Sequence, residues 1–325
     1  MRVGIHTRLC ELLQIANPII NAPMTPQAGG ALARAISEAG GFGMLGFDED
    51  ESAGQIREQI SILKASPAPR FGIGLVAWVL HRRPELLDLA IEAGPNMVSI
   101  SFGDPTPYVS RLRDAGIIVS SMVQNRQWAQ TALDAGVDML VAQGTEAGGH
   151  TGAVGTLPLL QIVLEMTDKP VVAAGGIATG RGLAAVLAAG AAGAWIGTPF
   201  LLAAESRTVP EAQALISESN ETQTIYTSVY DRAQAKAWPA EFRGRALRND
   251  FVEHWNDRED ELMQDQTALE TFRAAKISRD FRTAHIYAGQ SVGMLHDVEP
   301  ARVILERIAT DATARLRDVR TLIRD

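Results

Sequence analysis

The sequence predicts an α/β protein, a (β/α)8 TIM barrel with a smaller helical domain inserted after strand 8. Two observations carry this prediction. Eight short apolar runs recur between residues 18 and 197, and they are continuous, as in parallel strands buried on both faces. The segments between them show apolar residues at helical spacing, and four end in Glu-Ala-Gly or Asp-Ala-Gly, where glycine is expected to end the helix.

The predicted strands are residues 18–22, 43–46, 71–76, 97–101, 117–120, 139–142, 171–174 and 194–197. An open, doubly wound sheet also alternates strands and helices. Eight units of similar length, together with glycine clusters after strands 7 and 8, favour the closed barrel.

The character of the chain changes after Ser206. Residues 207–282 are polar and charge-rich, with long stretches such as 243–263 and 266–276 that we predict to be helical. We therefore expect a barrel formed by residues 1–206 and 283–325, with residues 207–282 as a helical subdomain that caps the substrate site. Within the second barrel segment, residues 283–297 are predicted to be a loop that folds back over the mouth.

Composition restricts the possible partners. The 325 residues include 30 basic and 38 acidic side chains, a net charge of −8, which argues against binding to nucleic acid or to anionic membranes. The single cysteine, Cys10, excludes an internal disulfide and a cysteine metal cluster, and it fits a reducing cytoplasm. We expect a cytoplasmic protein without a membrane segment, because the uncharged stretch 183–204 is rich in alanine and interrupted by glycine and proline.

Two glycine clusters indicate a phosphate site. In barrels of this kind, the loops after strands 7 and 8 commonly bind phosphate. Gly175 and Gly176 follow predicted strand 7, and Gly197 and Thr198 follow predicted strand 8. Adjacent glycines let the backbone approach a ligand closely, so that N–H groups can face phosphate oxygens.

The segment from Gln143 to Gly152 holds the strongest catalytic candidate. It follows strand 6 and is predicted to be an open loop, in which glycines surround His150. An imidazole titrates near neutral pH, so His150 is the candidate acid or base. Glu146 lies four residues before it, but no third ligand is evident and no metal is predicted. The acidic run at residues 48–51 is predicted to be a solvated loop.

The order of several phrases resembles the nitronate monooxygenase family, formerly called 2-nitropropane dioxygenases. The matching phrases are Asn-Ala-Pro-Met at 21–24, Gly-Gly-Phe-Gly at 40–43, the segment 143–152, Ala-Gly-Gly-Ile at 174–177, Gly-Thr at 197–198, Gly-Arg-Ala-Leu-Arg-Asn at 244–249 and Ala-Gly-Gln-Ser at 288–291. The resemblance covers nearly the whole chain. It implies an FMN-dependent oxidoreductase, with a barrel that binds FMN and a smaller helical domain over its mouth.

The resemblance also implies roles for individual residues. His150 is the implied catalytic base near the flavin N5 atom. The implied FMN-binding residues are Ala22, Pro23, Met24, Gly74, Gln143, Gly148, Gly149, Gly175, Gly176, Gly197, Thr198, Gly289, Gln290 and Ser291. Two positions depart from the family pattern. Gly74 stands where many members of the family have asparagine, and Met122, which is not among these residues, stands where some have lysine or glutamine.

The resulting hypothesis is FMN-dependent oxidation of alkyl nitronates by O₂ to a carbonyl compound and nitrite. One alternative is an NAD(P)H-dependent flavin reductase acting on a quinone or an enoyl thioester. Another is a non-catalytic barrel that binds a phosphate-bearing ligand. The expected partners are a small-molecule substrate and O₂, with a homo-oligomer as an open possibility. The aromatic candidates for the substrate wall are Tyr226, Tyr230, Trp238 and Phe242, each of which could instead belong to the core of the inserted domain.

Overall fold

The computed structural model describes residues 4–47, 49–65 and 69–322. Its strands, in chain order, are β1 (Ile19–Asn21), β2 (Gly43–Gly46), β3 (Phe71–Val76), β4 (Met97–Ser101), β5 (Ile118–Val123), β6 (Met139–Gln143), β7 (Gly149–Thr151), β8 (Val171–Ala174), β9 (Gly193–Ile196), β10 (Thr224–Thr227) and β11 (Arg243–Leu247).

Eight parallel strands form the barrel, in the order β1-β9-β8-β6-β5-β4-β3-β2. The circle closes where Ile20 of β1 forms a parallel bridge with Phe42, the residue before β2. All eight predicted strands are confirmed. Every described residue of β4 and β6 is buried, which explains why these runs are apolar throughout.

The helices are α1 (Arg8–Leu13), α2 (Gly30–Glu38), α3 (Ala53–Lys64), α4 (Ala77–Leu80), α5 (Glu85–Ala93), α6 (Thr106–Asp114), α7 (Arg126–Asp134), α8 (Thr156–Leu164), α9 (Gly180–Ala188), α10 (Thr198–Leu201), α11 (Pro210–Glu218), α12 (Val229–Gln234), α13 (Asp250–Trp255), α14 (Glu259–Leu262), α15 (Gln266–Ser278) and α16 (Ala301–Val319). Two 3₁₀ helices cover Gln290–Met294 and Arg320–Leu322. Within the described ranges, none of the helices combines the length and the apolarity that a membrane crossing requires.

Local sequence explains where these helices begin and end. The glycines of the four Glu/Asp-Ala-Gly phrases, at positions 40, 94, 116 and 136, all have positive φ, between 61° and 85°. This left-handed conformation ends a helix and favours glycine. At the other end, the side chain of Asn125 accepts a hydrogen bond from the backbone N–H of Trp128 and caps α7.

The last long helix completes the outer layer of the barrel. Helix α16 packs against both α9 and α2, so it lies between the helix after β8 and the helix after β1. Its buried residues, Ala301, Ile304, Leu305, Ile308 and Ala312, form one face at helical spacing. The chain therefore leaves the barrel after β9 and returns to it through this helix.

The segment between β9 and α16 contains strands as well as helices. Strands β10 and β11 pair antiparallel, and β11 also pairs with β7, which belongs to the loop after β6. The prediction of helix for Arg243–Leu247 was therefore wrong. The helix prediction rested on the charge-rich character of residues 243–263, but the guanidinium of Arg245 is buried and donates to Thr145 and Thr224, a tertiary contact that local sequence does not reveal.

Some predicted features fall outside the described residues. They include residues 1–3 and 323–325 of the predicted barrel segments and Asp48 of the acidic run. The solvated character predicted for the rest of that run was wrong for Glu49 and Glu51, whose side chains are 16% and 15% exposed. Glu49 pairs with Lys236 and Glu51 pairs with Arg207, both from the segment after β9.

Gly43 allows strand β2 to pack closely on helix α2. A Cβ atom at this position would lie 2.6 Å from the carbonyl carbon of Ala33 and 2.6 Å from Ser37 Oγ. We expect Gly43→Ala to lower the free energy of unfolding by about 1–3 kcal/mol, because the backbone must shift. Gly54→Ala is the control, since the nearest atom to its Cβ is Ser52 Oγ at 3.9 Å. Urea unfolding of both variants tests this; equal midpoints would contradict it.

Candidate active site

A cavity of about 700 Å³ opens at the carboxyl ends of the barrel strands. Its wall includes the residues after β1, the end of β6, the glycines after β8 and β9, and residues 284–287 near the end of the chain. Gln234, at the end of α12, and Lys236 and Trp238, just after it, line the same cavity. The site therefore combines the usual active-site end of a barrel with residues from the inserted segment.

Several positions in the cavity wall accept only glycine, because of their backbone conformation or their close contacts with other protein atoms. Gly175 and Gly176 have φ values of 107° and 70°, which disfavour any residue with a Cβ atom. A Cβ at Gly175 would also meet Thr156 Oγ1 at 2.7 Å and Gly144 O at 3.0 Å. Gly149 has φ of 72°, and its Cβ would meet no protein atom within 4 Å, so this part of the cavity is open to a ligand.

His150 lies on strand β7 rather than in the open loop that the sequence predicts. Gly149 and Thr151 flank it, and His150 itself is aligned with Gly244 of β11. The prediction of a loop was wrong because its glycines indicated a turn, whereas the pairing strand comes from about a hundred residues further along the chain. Strand pairing fixes the backbone that carries the imidazole.

The imidazole of His150 is enclosed by two residues of the inserted segment. Its Nε2 atom lies 2.8 Å from Oδ1 of Asp231, and the side chains are 9% and 8% exposed. The indole of Trp238 stacks on the imidazole with a centroid distance of 3.4 Å and an interplanar angle of 6°. The imidazole is therefore both hydrogen-bonded and covered on one face.

A chain of amide hydrogen bonds supports the same strand from the barrel side. Gln143 Nε2 donates to the backbone oxygen of His150 at 2.9 Å, and Gln143 Oε1 accepts from Gln124 Nε2 at 2.9 Å. Gln143 is 6% exposed and lines the cavity. Part of its hydrogen-bonding capacity is thus used to hold the main chain at His150.

Two further titratable residues lie beside this pair. Tyr287 donates its hydroxyl proton to Oδ1 of Asp231 at 3.4 Å, and burial together with the charge of Asp231 raises the Tyr287 pKa well above its usual value. His285 has its ring 4.6 Å from that of Tyr287, and burial lowers its pKa to about 3. Tyr287 is therefore a protonated phenol and His285 a neutral imidazole at physiological pH.

Comparison with known proteins decides the family. Residues 81–311 match the family described as nitronate monooxygenase. The chain belongs to the nitronate monooxygenase family. It is 28% identical to a probable nitronate monooxygenase from Staphylococcus saprophyticus, with 95% of this chain and 98% of that protein covered. It is 37% identical, over 64% of this chain and 58% of the other, to the (3aS,4S,5R,7aS)-5-hydroxy-7a-methyl-1-oxo-octahydro-1H-indene-4-carboxyl-CoA dehydrogenase from Rhodococcus jostii.

Solved structures agree with this assignment. FabK from Thermotoga maritima superposes with a TM-score of 0.86 at 28% identity, covering 98% of this chain and 100% of that one. Nitroalkane oxidase from Streptomyces ansochromogenes gives a TM-score of 0.82 at 27% identity, covering 96% and 99%. The chain is therefore an oxidoreductase of a family of flavin enzymes, and this argues against the non-catalytic alternative.

Most residues implied by the family resemblance surround one cavity. Those in its wall are His150, Ala22, Pro23, Met24, Gly74, Gln143, Gly148, Gly149, Gly175, Gly176, Gly197, Thr198 and Ser291. Gly289 and Gln290 are not in the wall. The Gly289 N–H donates to Thr198 Oγ1 at 3.0 Å, whereas Gln290 is exposed and its N–H donates to Glu146 O. The roles of these residues toward a cofactor stay predictions.

At Gly74, in strand β3, the structure has no room for a side chain. A Cβ atom at this position would meet Cγ of Pro23 at 2.5 Å. Pro23 thus packs directly against the end of β3, and the Asn-Ala-Pro-Met phrase lies closer to this strand than a larger residue would permit.

Of the four aromatic candidates, the structure places only Trp238 in the described cavity wall. Tyr230 is buried in the core of the inserted segment, with its hydroxyl donating to Asn249. Phe242 packs against Phe102 and Trp128, and the Tyr226 hydroxyl donates to Thr151 O. Phe281, which was not among these candidates, is a second aromatic residue of the inserted segment in the cavity wall.

Sequence reasoning missed Gln124, Asp231 and Tyr287. Gln124 follows strand β5 directly, so the rule that active-site residues follow barrel strands could have found it. Asp231 carries no such signal, because it lies on a short helix 81 residues after His150. The four-residue spacing of Glu146 and His150 could have indicated two metal ligands, but the Glu146 carboxylate accepts hydrogen bonds from Thr156. The described part of the chain holds no cluster of three or more side chains that could bind a metal ion.

The neutral state of His285 makes stability depend on pH. Because its pKa is about 3 in the folded protein and 6.5 in a model peptide, the unfolded chain binds an additional proton between these values. The contribution of His285 to stability is therefore complete above pH 6.5 and is lost as the pH falls toward 3. We expect His285→Gln to reduce the slope of unfolding free energy against pH by up to about 1.4 kcal/mol per pH unit in this range. Parallel urea titrations at pH 4–7 measure it; identical slopes would contradict the assignment.

Proposed function

We propose that this protein catalyses the FMN-dependent oxidation of alkyl nitronates by O₂ to a carbonyl compound and nitrite. The observation that carries the proposal is the buried pair of His150 and Asp231, which borders a glycine-lined cavity at the active-site end of the barrel. The similarity to nitronate monooxygenases over nearly the full chain supports the same reaction.

The residues of the cavity fit FMN. Gly175, Gly176, Gly197 and Thr198 lie together after β8 and β9 and would hold one phosphate group. Residues 22–24 and the open space beside Gly149 would accommodate the flavin ring. When bound, FMN supplies the redox chemistry, accepting electrons from the substrate and passing them to O₂.

The side chains of the protein supply proton transfer and shielding. His150 would take the α-proton when the neutral nitroalkane is the substrate, since an imidazole is a competent base near neutral pH. Trp238 covers one face of that imidazole, and Tyr287 lies beside it with a ring distance of 5.4 Å. Both exclude water from the basic group.

The inserted segment would act as the cap of the substrate pocket. Gln234, Lys236, Trp238, Lys276 and Arg279 all belong to the predicted subdomain 207–282 and all line the cavity. The ion pairs of Lys236 with Glu49 and Asp50, both 3.2 Å, connect this segment to the loop after β2. A cytoplasmic location and the possible homo-oligomer stay predictions.

An NAD(P)H-dependent flavin reductase is the second candidate. It is favoured by the similarity to FabK and to the CoA dehydrogenase of Rhodococcus jostii. Anaerobic addition of NADH, NADPH and a nitronate to separate samples distinguishes the two functions. Bleaching of the flavin absorbance by a nitronate alone supports the proposed oxidation, whereas rapid bleaching by a pyridine nucleotide overturns it.

We expect the purified protein to carry non-covalent FMN rather than FAD. The two glycine clusters of the cavity would form one phosphate site, and no Gly-x-Gly-x-x-Gly phrase lies in the turn between strand β1 and helix α2, where a dinucleotide-binding fold would have it; the phrase at 41–46 runs into strand β2. Heat release followed by chromatography identifies the cofactor. FAD in the supernatant, or a protein that takes up no FMN, would refute the prediction.

We expect His150→Asn to retain the cofactor but to lose about 10²–10⁴-fold in kcat/KM for neutral nitroethane, because the general base is removed. Ethylnitronate already lacks the α-proton and should be affected less. Oxygen consumption with both substrates measures the difference, and the visible spectrum of the variant controls for loss of flavin. Wild-type turnover of nitroethane would rule out His150 as the base.

A further inference from the structure

The partner of His150 comes from outside the barrel. Asp231 lies in the middle of helix α12, in the inserted segment, and it is 6% exposed. We propose that Asp231 is the positioning residue of the active site: its carboxylate holds the imidazole of His150 in one tautomer and stabilises the imidazolium formed when the substrate proton is taken.

The hydrogen bond between the two residues determines the tautomer. A carboxylate can only accept hydrogen bonds, so the proton between Oδ1 of Asp231 and Nε2 of His150 belongs to the imidazole. In the neutral ring the lone pair is then on Nδ1, which is the nitrogen that can accept a proton. The stacked indole of Trp238 restricts rotation of the imidazole, and the bond from Gln143 to the His150 carbonyl holds the main chain that carries it.

Asp231 is the charged group at hydrogen-bond distance from this imidazole, and Lys276, which lines the same cavity, donates to Gln234. Tyr287 donates to the same Oδ1 atom and is itself uncharged, and buried His285 is neutral. From β11, the facing residue is Gly244, while the guanidinium of Arg245 is turned toward Thr145. Lys236 pairs with Glu49 and Asp50. An imidazolium at position 150 would therefore be compensated by Asp231.

The same arrangement occurs in the catalytic triad of serine hydrolases, where an aspartate orients the histidine imidazole without taking its proton. Burial strengthens the effect, because an opposite charge at hydrogen-bond distance stabilises the protonated ring more when water is excluded. Asp231 thereby links proton transfer to the inserted segment, since the base acquires its partner only when that segment is in place.

The tautomer can be measured on the wild-type protein without any substrate. The ¹⁵N chemical shifts of the imidazole, assigned by comparison with His150→Gln, should show the proton on Nε2 at high pH. A proton on Nδ1 would overturn the proposal. Because this experiment involves no nitronate, its outcome is independent of the proposed reaction.

The second test removes the charge and keeps the shape. Asp231→Asn should weaken the preference for the Nε2–H tautomer and move the ¹⁵N shifts of the His150 imidazole toward those of a tautomer mixture, because a carboxamide can donate as well as accept a hydrogen bond. Asp260→Asn is the matched control, because it removes one carboxylate from the same segment, where Asp260 pairs with Arg232 at 3.5 Å and is 93% exposed. Unchanged ¹⁵N shifts of His150 in Asp231→Asn, or equal changes in both variants, would overturn the proposal.

The kinetic consequence rests on the proposed function. Asp231→Asn should reduce kcat/KM for nitroethane at least tenfold, with a smaller effect on ethylnitronate, which needs no proton removal. Asp231→Glu should restore much of the nitroethane activity, since it restores the carboxylate. If the NMR shifts are found but neither substrate is oxidised, the proposed reaction fails while the positioning role stands.

Discussion

The pairing of strand β7 with strand β11 is the constraint on which the active site depends. Strand β7 belongs to the loop after a barrel strand, whereas β11 belongs to the segment inserted after β9. Their hydrogen bonds hold the inserted segment at the mouth of the barrel. As a result, the imidazole on one strand meets a carboxylate and an indole from the other unit.

Hydrogen bonds on both sides make this junction rigid. Gln143 holds the carbonyl of His150 from inside the barrel, and Arg245 donates to the carbonyl of Thr145 from β11. Burial of the Arg245 guanidinium removes it from water, which costs free energy and lowers its pKa. The hydrogen bonds from the guanidinium to Thr145 and Thr224 offset part of this cost. The segment that carries the base is thus braced from two directions.

Ion pairs also connect the inserted segment to the loop after β2. Glu49 and Asp50, after β2, face Lys236, which lies two residues before Trp238. The acidic run that looks like a solvated surface in the sequence is therefore part of the contact between the barrel and the inserted segment. The cavity at the barrel mouth has a volume of about 700 Å³, and glycines line it at the strand ends, where a ligand can approach the backbone closely.

Local sequence alone determined the barrel. Eight continuous apolar runs and the glycines after them are properties of single segments, because strand burial and helix termination depend on residues a few positions apart. The cavity position of His150 and of the glycines after β8 and β9 could be predicted for the same reason, because the active-site end of a barrel is defined by which residues follow each strand. Only the tertiary structure showed that His150 lies on strand β7 and that residues 243–247 form strand β11. It alone also showed that Asp231 is the hydrogen-bond partner of His150. Those features arise from contacts between segments about 80 to 100 residues apart, and a pairing across such a distance leaves no periodicity in either segment by which it could be recognised.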